Sequence, residues 1–339
     1  MLAETSDARR AISITIMIWH TGDRAHWALV IGHTGALVIV ARRIMNSFTY
    51  RSTAEEVLQG IDLTGKTILL TGCNSGLGFE SLRVLAAHGA HVIAAARNIK
   101  AAEEACTRVN GSTTPLACDL GDRASVKRAV ADILGGGLQV DRVIANAGIM
   151  MLPHLEQLYG LEKQFVVNYL GHFVLITGIL AAIPRHAGSR IVVVSSDAHR
   201  RAPGAGVELD NLAGERGYSP MRAYGQSNVA RILFTRALAR RLSGAGITVN
   251  ALHPGVIGAT HLSRHLSPLL QWLIRRFGKT IPQGAATQCY LAAHPDVAEV
   301  TGQYFSNCRI ARASRAARDD ALGERLWTVS EQLVAAHAG

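Results

Sequence analysis

The chain has 339 residues, of which 48% are hydrophobic and 18% are charged. This composition is typical of a globular protein with an ample core and excludes a largely disordered chain. The net charge of +10 would suit nucleic acid, but the arginines are spread along the chain and aromatic residues make up only 5%. Because no basic patch is interleaved with stacking side chains, nucleic acid is not an expected partner.

The cysteines and histidines indicate neither disulfides nor a metal centre. No C-x-x-C pair occurs among the five cysteines, which are Cys73, Cys106, Cys118, Cys289 and Cys308. Thiols in this pattern predict a cytoplasmic protein with reduced cysteines. His261 and His265 lie four residues apart, but no carboxylate or third histidine accompanies them at a recognisable spacing, so no metal is predicted.

Residues 1–50 differ from the rest and are predicted to be an N-terminal extension outside the main fold. Their apolar patches, residues 11–19 and 28–41, are shorter than the ~20 residues that a membrane-spanning helix needs. A membrane-associating anchor and a signal peptide that begins at Arg9-Arg10 are the less favoured alternatives. We expect a chain that starts at Met45 to keep its solubility and its cofactor binding.

Residues 51–339 are predicted to form one α/β domain, whose first regular pattern surrounds a glycine-rich turn. After a helix that starts at Thr53, the apolar run 68–70 leads into this turn, and a helical pattern follows it. Strand, turn and helix in this order bind a dinucleotide pyrophosphate, because glycines let the backbone approach and the helix N-terminus presents free N–H groups. The candidate cofactor-binding residues of the turn are Gly72, Asn74, Ser75, Gly76, Leu77 and Gly78.

The next predicted strand, residues 91–96, ends at Arg97. An NAD-selective fold usually carries an acidic residue there, which binds the ribose 2′-hydroxyl. An arginine instead favours the 2′-phosphate, so NADP (NADPH) is the predicted cofactor. The alternative is that Arg97 only ends the strand.

Polar and small residues also follow the third and fourth predicted strands. Asp119-Leu120 follows a strand at 114–118, where Asp119 either binds the adenine amino group or caps the following helix. Asn146-Ala147-Gly148 follows a strand at 142–145. Asn146 can tie neighbouring strands together, and the small residues after it permit close approach of the backbone to a cofactor.

The remaining candidate residues lie farther along the chain. A long amphipathic stretch, residues 155–183, contains Asn168, and Ser195-Ser196 follows a strand at 191–194. Tyr224 opens a helix, and Pro254-Gly255 comes shortly after a strand at 247–252. The alternation of strands and helices predicts a doubly wound parallel sheet with its ligand crevice at the carboxyl ends of the strands.

These motifs, in this order, resemble the short-chain dehydrogenase/reductase family, and within it the branch of retinol dehydrogenases and WW-domain-containing oxidoreductases. The resemblance implies a single Rossmann-type domain of about seven parallel strands with helices on both faces, and a homo-oligomer. It also implies an NADP-dependent enzyme that acts on a carbonyl or alcohol. Tyr224 would be the proton donor, Ser196 would hold the substrate oxygen, and Asn168 would position a water relay.

The chain departs from the family at Asn228, where the family pattern Tyr-x-x-x-Lys has a lysine. Asparagine can still hydrogen-bond the ribose hydroxyls of the cofactor, but it supplies no charge. Without that charge Tyr224 favours its protonated form, so carbonyl reduction should suffer less than alcohol oxidation. We therefore expect a slow or specialised reductase; the alternative is a regulator or scaffold that binds the cofactor with little or no catalysis.

The segment after Pro254-Gly255 bears on the substrate. Four residues lie between Gly255 and Thr260. The family commonly has three residues between this glycine and a cofactor-binding threonine. Residues 262–277 are rich in leucine and, by resemblance, cover the substrate, so we expect a small apolar ketone, aldehyde or alcohol. A membrane-facing amphipathic helix and plain core packing are the alternatives.

Overall fold

The computed structural model describes residues 48–137, 139–258 and 278–336, together with the backbone of three strands nearer the N-terminus. Contacts divide the chain into two units, Met1–Ser47 and Phe48–Gly339. In the small unit the strands form an antiparallel sheet in the order β1-β2-β3, with bounds Ser13–Thr21, Arg24–His33 and Ala36–Ile39. The alternation of isoleucine with other residues at 14, 16 and 18 is a strand signal that the sequence analysis did not use.

The large unit contains one eight-stranded sheet in the order β13-β12-β11-β10-β7-β4-β5-β6. Its strands are β4 Thr67–Thr71, β5 His91–Ala96, β6 Thr113–Ala117, β7 Arg142–Ala145, β10 Ser189–Val194, β11 Ile247–His253, β12 Tyr304–Ser306 and β13 Arg309–Ile310. Seven of these strands run parallel, and the short β13 pairs antiparallel with β12 at the edge. The predicted doubly wound parallel sheet is confirmed, with one edge strand more than expected.

Helices cover both faces of this sheet. They are α1 Ala54–Leu58, α2 Gly76–Ala87, α3 Ile99–Cys106, α4 Arg123–Gly135, α5 Lys163–Phe165, α6 Gly171–Gly178, α7 Pro220–Arg241, α8 Ile281–Ala293 and α9 Asp320–Ala335. Alternate residues of β4 show the two layers, because Leu69 belongs to the core cluster that contains residues of α4, α6, α7 and α9, whereas Ile68 and Leu70 belong to the cluster that contains residues of α1, α2 and α8. A strand buried on both faces reads as a continuous apolar run, which is why β4 was recognisable from sequence.

The stretch 155–183 is not one continuous element. Two short strands, β8 Gln157–Leu158 and β9 Leu161–Glu162, form a hairpin around Tyr159 and Gly160, which both have positive φ. A π-helix, Val166–Leu170, then joins α5 to α6. The side chain of Glu162 accepts hydrogen bonds from the N–H groups of Gln164 and Phe165, so it starts the helical part.

Helix α7 also begins earlier than predicted. Its first residue is Pro220, which suits the first turn of a helix because its missing N–H group would have no partner there. Tyr224 therefore lies in the second turn, where its backbone is already part of the helix. No helix in the part of the chain that the structure describes is long and apolar enough to cross a membrane.

Candidate active site

The glycine turn between β4 and α2 leaves room for a phosphate. Gly72 has φ +70°, and a Cβ atom on Gly78 would lie 1.9 Å from the carbonyl oxygen of Gly72. Ser75 precedes α2, and its side chain caps none of the helix N–H groups. Asn74 and Ser75 are exposed, whereas Gly76 and Leu77 are half-buried. The turn thus presents free N–H groups and a bare backbone, as a pyrophosphate requires.

A buried hydrogen-bond network fixes the end of β4 against β7 and α6. The hydroxyl of Thr71 accepts from the backbone N–H groups of Asn146 and Ala147, each at 3.0 Å, and lies 2.9 Å from His172 Nε2. The side chain of Asn146 donates to the carbonyl oxygen of Thr71 at 2.9 Å, so it ties the two strands together. Because both acceptor positions of Thr71 are used, its O–H group donates to His172 Nε2.

His172 was not predicted as a functional residue from the sequence. Its Nδ1 lies 3.0 Å from the carbonyl oxygen of Asn168 and donates to it. Burial, followed by the nearby charge of Arg231, lowers the pKa of His172 to about 3. The ring is therefore neutral, which matches one donating and one accepting nitrogen.

Arg97 and Asp119 lie at the same carboxyl edge of the sheet. Arg97 is exposed directly after β5, and its guanidinium makes no hydrogen bond or ion pair among the described residues. Asp119 Oδ1 accepts from the N–H of Gly121 at 2.9 Å, and Asp122 is the residue that caps α4. Leu120 is only 6% exposed and packs in the core.

Asn168 lies in the π-helix with its side chain fully engaged. Its Oδ1 accepts from Ile149 N at 2.8 Å, and its Nδ2 donates to Ile149 O at 2.9 Å and to Ser227 Oγ at 3.0 Å. Its backbone carbonyl oxygen accepts from His172 and also from Arg231 Nε at 2.5 Å. In this arrangement the amide group of Asn168 has no hydrogen left for a water, and its role in a water relay stays a prediction.

Two contacts pack the helical turn that carries Tyr224 against the segment around Ser196. A Cβ atom on Gly225 would lie 2.7 Å from Ala198 O, so α7 packs directly on the 3₁₀ helix Asp197–Arg201 that follows Ser196. In addition, Ser195 Oγ donates to Asn228 O at 3.1 Å. The end of β10 and the second turn of α7 are held together as a result.

The hydroxyl groups of Ser196 and Tyr224 can both serve a substrate oxygen. Ser196 Oγ accepts from Ala198 N at 3.2 Å, and its own O–H makes no hydrogen bond among the described residues. Tyr224 is half-buried, and within residues 48–137, 139–258 and 278–336 its hydroxyl has no hydrogen-bond partner. This is the pair of donors that a developing alkoxide needs.

Asn228 is completely buried beside Tyr224. Its Nδ2 donates to Tyr224 O at 2.8 Å, whereas its Oδ1 is buried without any hydrogen-bond partner. A buried acceptor without a partner is costly. Because this oxygen is closed to solvent, the predicted hydrogen bond from Asn228 to the ribose hydroxyls of a cofactor is not available in this arrangement and stays a prediction.

Arg231 was missed in the sequence analysis, although it lies on the same face of α7. Its guanidinium donates to the backbone carbonyl oxygens of Asn168, of Val194 at 2.6 Å and of Ala147. These carbonyls belong to the π-helix, the end of β10 and the segment after β7. Arg231 thus ties together three elements around the crevice.

Pro254 and Gly255 follow β11 and are half-buried. Gly255 has φ +101°, and a Cβ atom there would lie 2.8 Å from Lys279 Cδ. His253 Nδ1 accepts from Asp197 N at 3.1 Å, and burial lowers the pKa of His253 to about 4. Thr260, His261, His265 and residues 262–277, together with Met45, lie outside the described residues.

The residues present fit a nicotinamide dinucleotide. The glycine turn would hold the pyrophosphate, and Asn146-Ala147-Gly148 would line the crevice. No group of three or more histidine, cysteine, aspartate or glutamate side chains in the described part of the chain is arranged to hold a metal ion. The five cysteines, which all lie in that part, form no disulfide there.

Comparison with known proteins shows that the chain is similar to short-chain dehydrogenases. The model of the short chain dehydrogenase family matches residues 66–269. The chain is 39% identical over 298 residues to the chloroplastic short-chain dehydrogenase TIC 32 A of Brassica napus, covering 84% of this chain and 93% of that protein. It is 36% identical over 327 residues to human retinol dehydrogenase 14, covering 88% and 95%, and 37% identical over 305 residues to human WW domain-containing oxidoreductase, covering 85% and 72%.

Solved structures share the fold. A crystal structure of an uncharacterised protein from Mycobacterium paratuberculosis matches with a TM-score of 0.67 and 31% identity, covering 84% of this chain and 97% of that one. A protein described as an NAD(P)-dependent gluconate 5-dehydrogenase from Beutenbergia cavernae, solved with NADP at low occupancy, matches with a TM-score of 0.57 and 25% identity, covering 73% and 96%. The chain therefore belongs to the short-chain dehydrogenase/reductase family of oxidoreductases, and its relatives include the retinol dehydrogenase-like branch.

Proposed function

We propose that the protein is an NADP-dependent oxidoreductase that reduces an apolar ketone or aldehyde, or oxidises the matching alcohol, with Tyr224 as the proton donor. The observation that carries this proposal is the half-buried hydroxyl of Tyr224, which has no partner among the described residues. The contact of Gly225 with the 3₁₀ helix packs the helical turn that carries Tyr224 against the segment that follows Ser196, which supports this role. A free phenol beside a serine whose O–H is also free suits a carbonyl oxygen that gains negative charge.

Bound NADPH supplies the hydride that adds to the carbonyl carbon. As charge develops on the carbonyl oxygen, Tyr224 transfers its hydroxyl proton to that oxygen, and the product is the alcohol. Ser196 donates a second hydrogen bond to the same oxygen and keeps it in line with Tyr224. The phenolate of Tyr224 then regains a proton from water, which restores the protonated form of Tyr224 for the next turnover.

The preference for NADP over NAD is supported by Arg97. Its exposed guanidinium, free of protein partners in the described part of the chain, follows β5 at the edge where the ribose 2′-phosphate would lie. The NADP-bound relative from Beutenbergia cavernae shows that this fold accommodates the phosphate in another protein. In this chain, Arg97 is the residue that would bind it.

The substrate class and the cellular setting rest on the sequence. The leucine-rich residues 262–277 favour an apolar substrate. The resemblance supports a homo-oligomer, and the lack of a disulfide among the described residues supports a cytoplasmic location. A membrane surface is the less favoured partner.

The test is a titration of NADPH and NADH into the protein, followed by fluorescence, together with turnover on a panel of apolar aldehydes and ketones. We expect NADPH to bind more tightly than NADH and at least one panel member to be reduced. Binding without turnover would instead favour a regulator or scaffold, for which the neutral Asn228 is the best argument. Failure to bind either nucleotide would contradict both proposals.

A further inference from the structure

Position 228 supplies no positive charge to the site. Asn228 is 0% exposed, and its amide group donates to the backbone of Tyr224 rather than to any side chain. In the family this position carries a lysine, which acts on both the ribose and the tyrosine. The charge is therefore missing where the family has it.

A buried cation lies one turn farther along α7. Arg231 is 4% exposed, and its three donor contacts all go to backbone carbonyls. Among the described residues it has no carboxylate partner, and its electrostatic interaction is with Tyr224. Buried arginines are almost always paired with an anion, so a cation held only by carbonyl dipoles is unusual.

The position of Arg231 relates it to the reacting groups. Tyr224, Asn228 and Arg231 are spaced four and then three residues apart, which places them on one face of the helix. Side chains in a helix lean toward its N-terminus, so Arg231 extends toward Asn228 and Tyr224. A Cβ atom on Gly148 would lie 3.2 Å from Arg231 Nη2, so the guanidinium lies directly beneath the exposed backbone of Gly148.

We propose that Arg231 is a positioning residue that supplies, from beneath the crevice, the positive charge that the family places at position 228. The inference rests on the proposed function. When Tyr224 gives its proton to the substrate oxygen, the phenolate left behind is stabilised by this cation until water returns a proton. In the reverse direction the same charge favours the phenolate that accepts the alcohol proton.

Two ionisable groups that interact with Arg231 or Tyr224 are neutral, whereas Arg231 is charged. Burial lowers the pKa of Arg231 to about 10, so the side chain stays charged at neutral pH. His172 is neutral because burial and Arg231 lower its pKa to about 3. Burial raises the pKa of Tyr304, whose hydroxyl also interacts electrostatically with Tyr224, so Tyr304 is neutral as well.

The test compares kcat, NADPH affinity and the pH profile of alcohol oxidation in the intact protein and in charge variants. Arg231→Gln should lower kcat about tenfold, because the phenolate loses its cation. For the same reason the pH at which the rate of alcohol oxidation increases should be about one unit higher. The dissociation constant of NADPH should change less than about threefold. Arg231→Lys, which keeps the charge, should retain the wild-type pH profile, and the control Arg236→Gln, on the same helix, should leave all three quantities unchanged.

Asn228→Lys keeps the inference testable where Arg231→Gln does not fold. Asn228→Lys alone should lower stability without raising kcat, because it places a second cation beside Arg231. Asn228→Lys combined with Arg231→Gln should recover kcat to within about threefold of wild type. A wild-type pH profile in Arg231→Gln, or a faster and equally stable Asn228→Lys, would overturn the role of Arg231. Absence of turnover in the wild type would instead overturn the proposed function and this inference with it.

Discussion

At the scale of single residues, the site depends on which side chains remain free for a ligand. Arg97 and Tyr224 each present a polar group without a partner among the described residues, and Asn228 Oδ1 lacks a partner but is buried. Asn146 and Asn168 instead bind other protein groups. The sequence predicted all five as site residues because they follow strands or lie at positions of a family motif, from which Asn228 departs. Which of them are free follows only from the contacts across the sheet, which the sequence does not show.

Arg97 allows a direct test of cofactor choice. A charge-assisted hydrogen bond contributes ~1.5–3 kcal/mol, so Arg97→Ala should weaken NADPH binding about 10- to 100-fold and leave NADH binding unchanged. Fluorescence titration with both nucleotides measures this. Arg185→Ala, which removes an exposed arginine before the opposite end of β10, is the control and should alter neither affinity. Equal weakening for the two nucleotides would contradict the role of Arg97 in binding the 2′-phosphate.

At the scale of elements, the position of α7 on the 3₁₀ helix Asp197–Arg201 determines where Tyr224 lies. Gly225 permits this close packing, and the hydrogen bond from Ser195 to Asn228 fixes it. From sequence, Ser196 and Tyr224 could be placed on a strand end and a helix, but the packing of that helix on the segment after Ser196 could not be predicted. A glycine next to the proposed proton donor gives no visible signal, because its importance depends on the backbone opposite.

Gly225→Ala should separate these two elements. Its new methyl group would meet Ala198 O and Ala202 N at 2.7 Å, so we expect a loss of ~1–3 kcal/mol in stability. A displacement of Tyr224 should lower kcat by about tenfold or more, with little effect on NADPH binding. Gly323→Ala is the matched control, because that glycine of α9 also faces α7 but its nearest neighbour would be 3.7 Å away. Equal kcat values for the two variants would contradict this account.

At the scale of the whole molecule, buried neutral histidines couple folding to pH. In the unfolded chain a histidine binds a proton near pH 6.5, whereas the folded chain binds one at His172 only near pH 3 and at His253 only near pH 4. Between these values the unfolded state holds more protons. The contribution of these two histidines to stability is therefore fully present above about pH 6.5 and is lost as the pH falls below it.

His172→Gln should reduce this pH dependence. Urea unfolding of the wild type should show stability falling by up to ~1.4 kcal/mol per pH unit for each such histidine between about pH 6 and pH 4. The variant should be ~1–3 kcal/mol less stable at neutral pH, because the hydrogen-bond network of Thr71 is disturbed. The slope of its unfolding free energy against pH should be shallower than that of the wild type. His154→Gln, at an exposed position, should keep the wild-type slope. An unchanged slope in His172→Gln would show that His172 is not the titrating group.

Predictability from sequence also varies across the molecule. The central strands were recognisable because apolar runs end in polar residues, as for β4 before Gly72 and β7 before Asn146. The hairpin around Tyr159 was missed because its turn lies inside a stretch that was interpreted as amphipathic throughout. Arg231 was missed because α7 carries several arginines, and the sequence alone does not show which of them is buried. Periodicity thus predicts elements, whereas burial of a charge depends on how the elements pack.

The central claim is that Tyr224 donates the proton in an NADPH-dependent reduction. The most direct test is kcat for reduction of an apolar aldehyde by the wild type and by Tyr224→Phe, with NADPH affinity measured on the same samples. Removal of a general acid typically costs ~10²–10⁴-fold, so kcat should fall by about that factor while NADPH binds as before. A Tyr224→Phe variant that binds NADPH and reduces the aldehyde at the wild-type rate would contradict the claim.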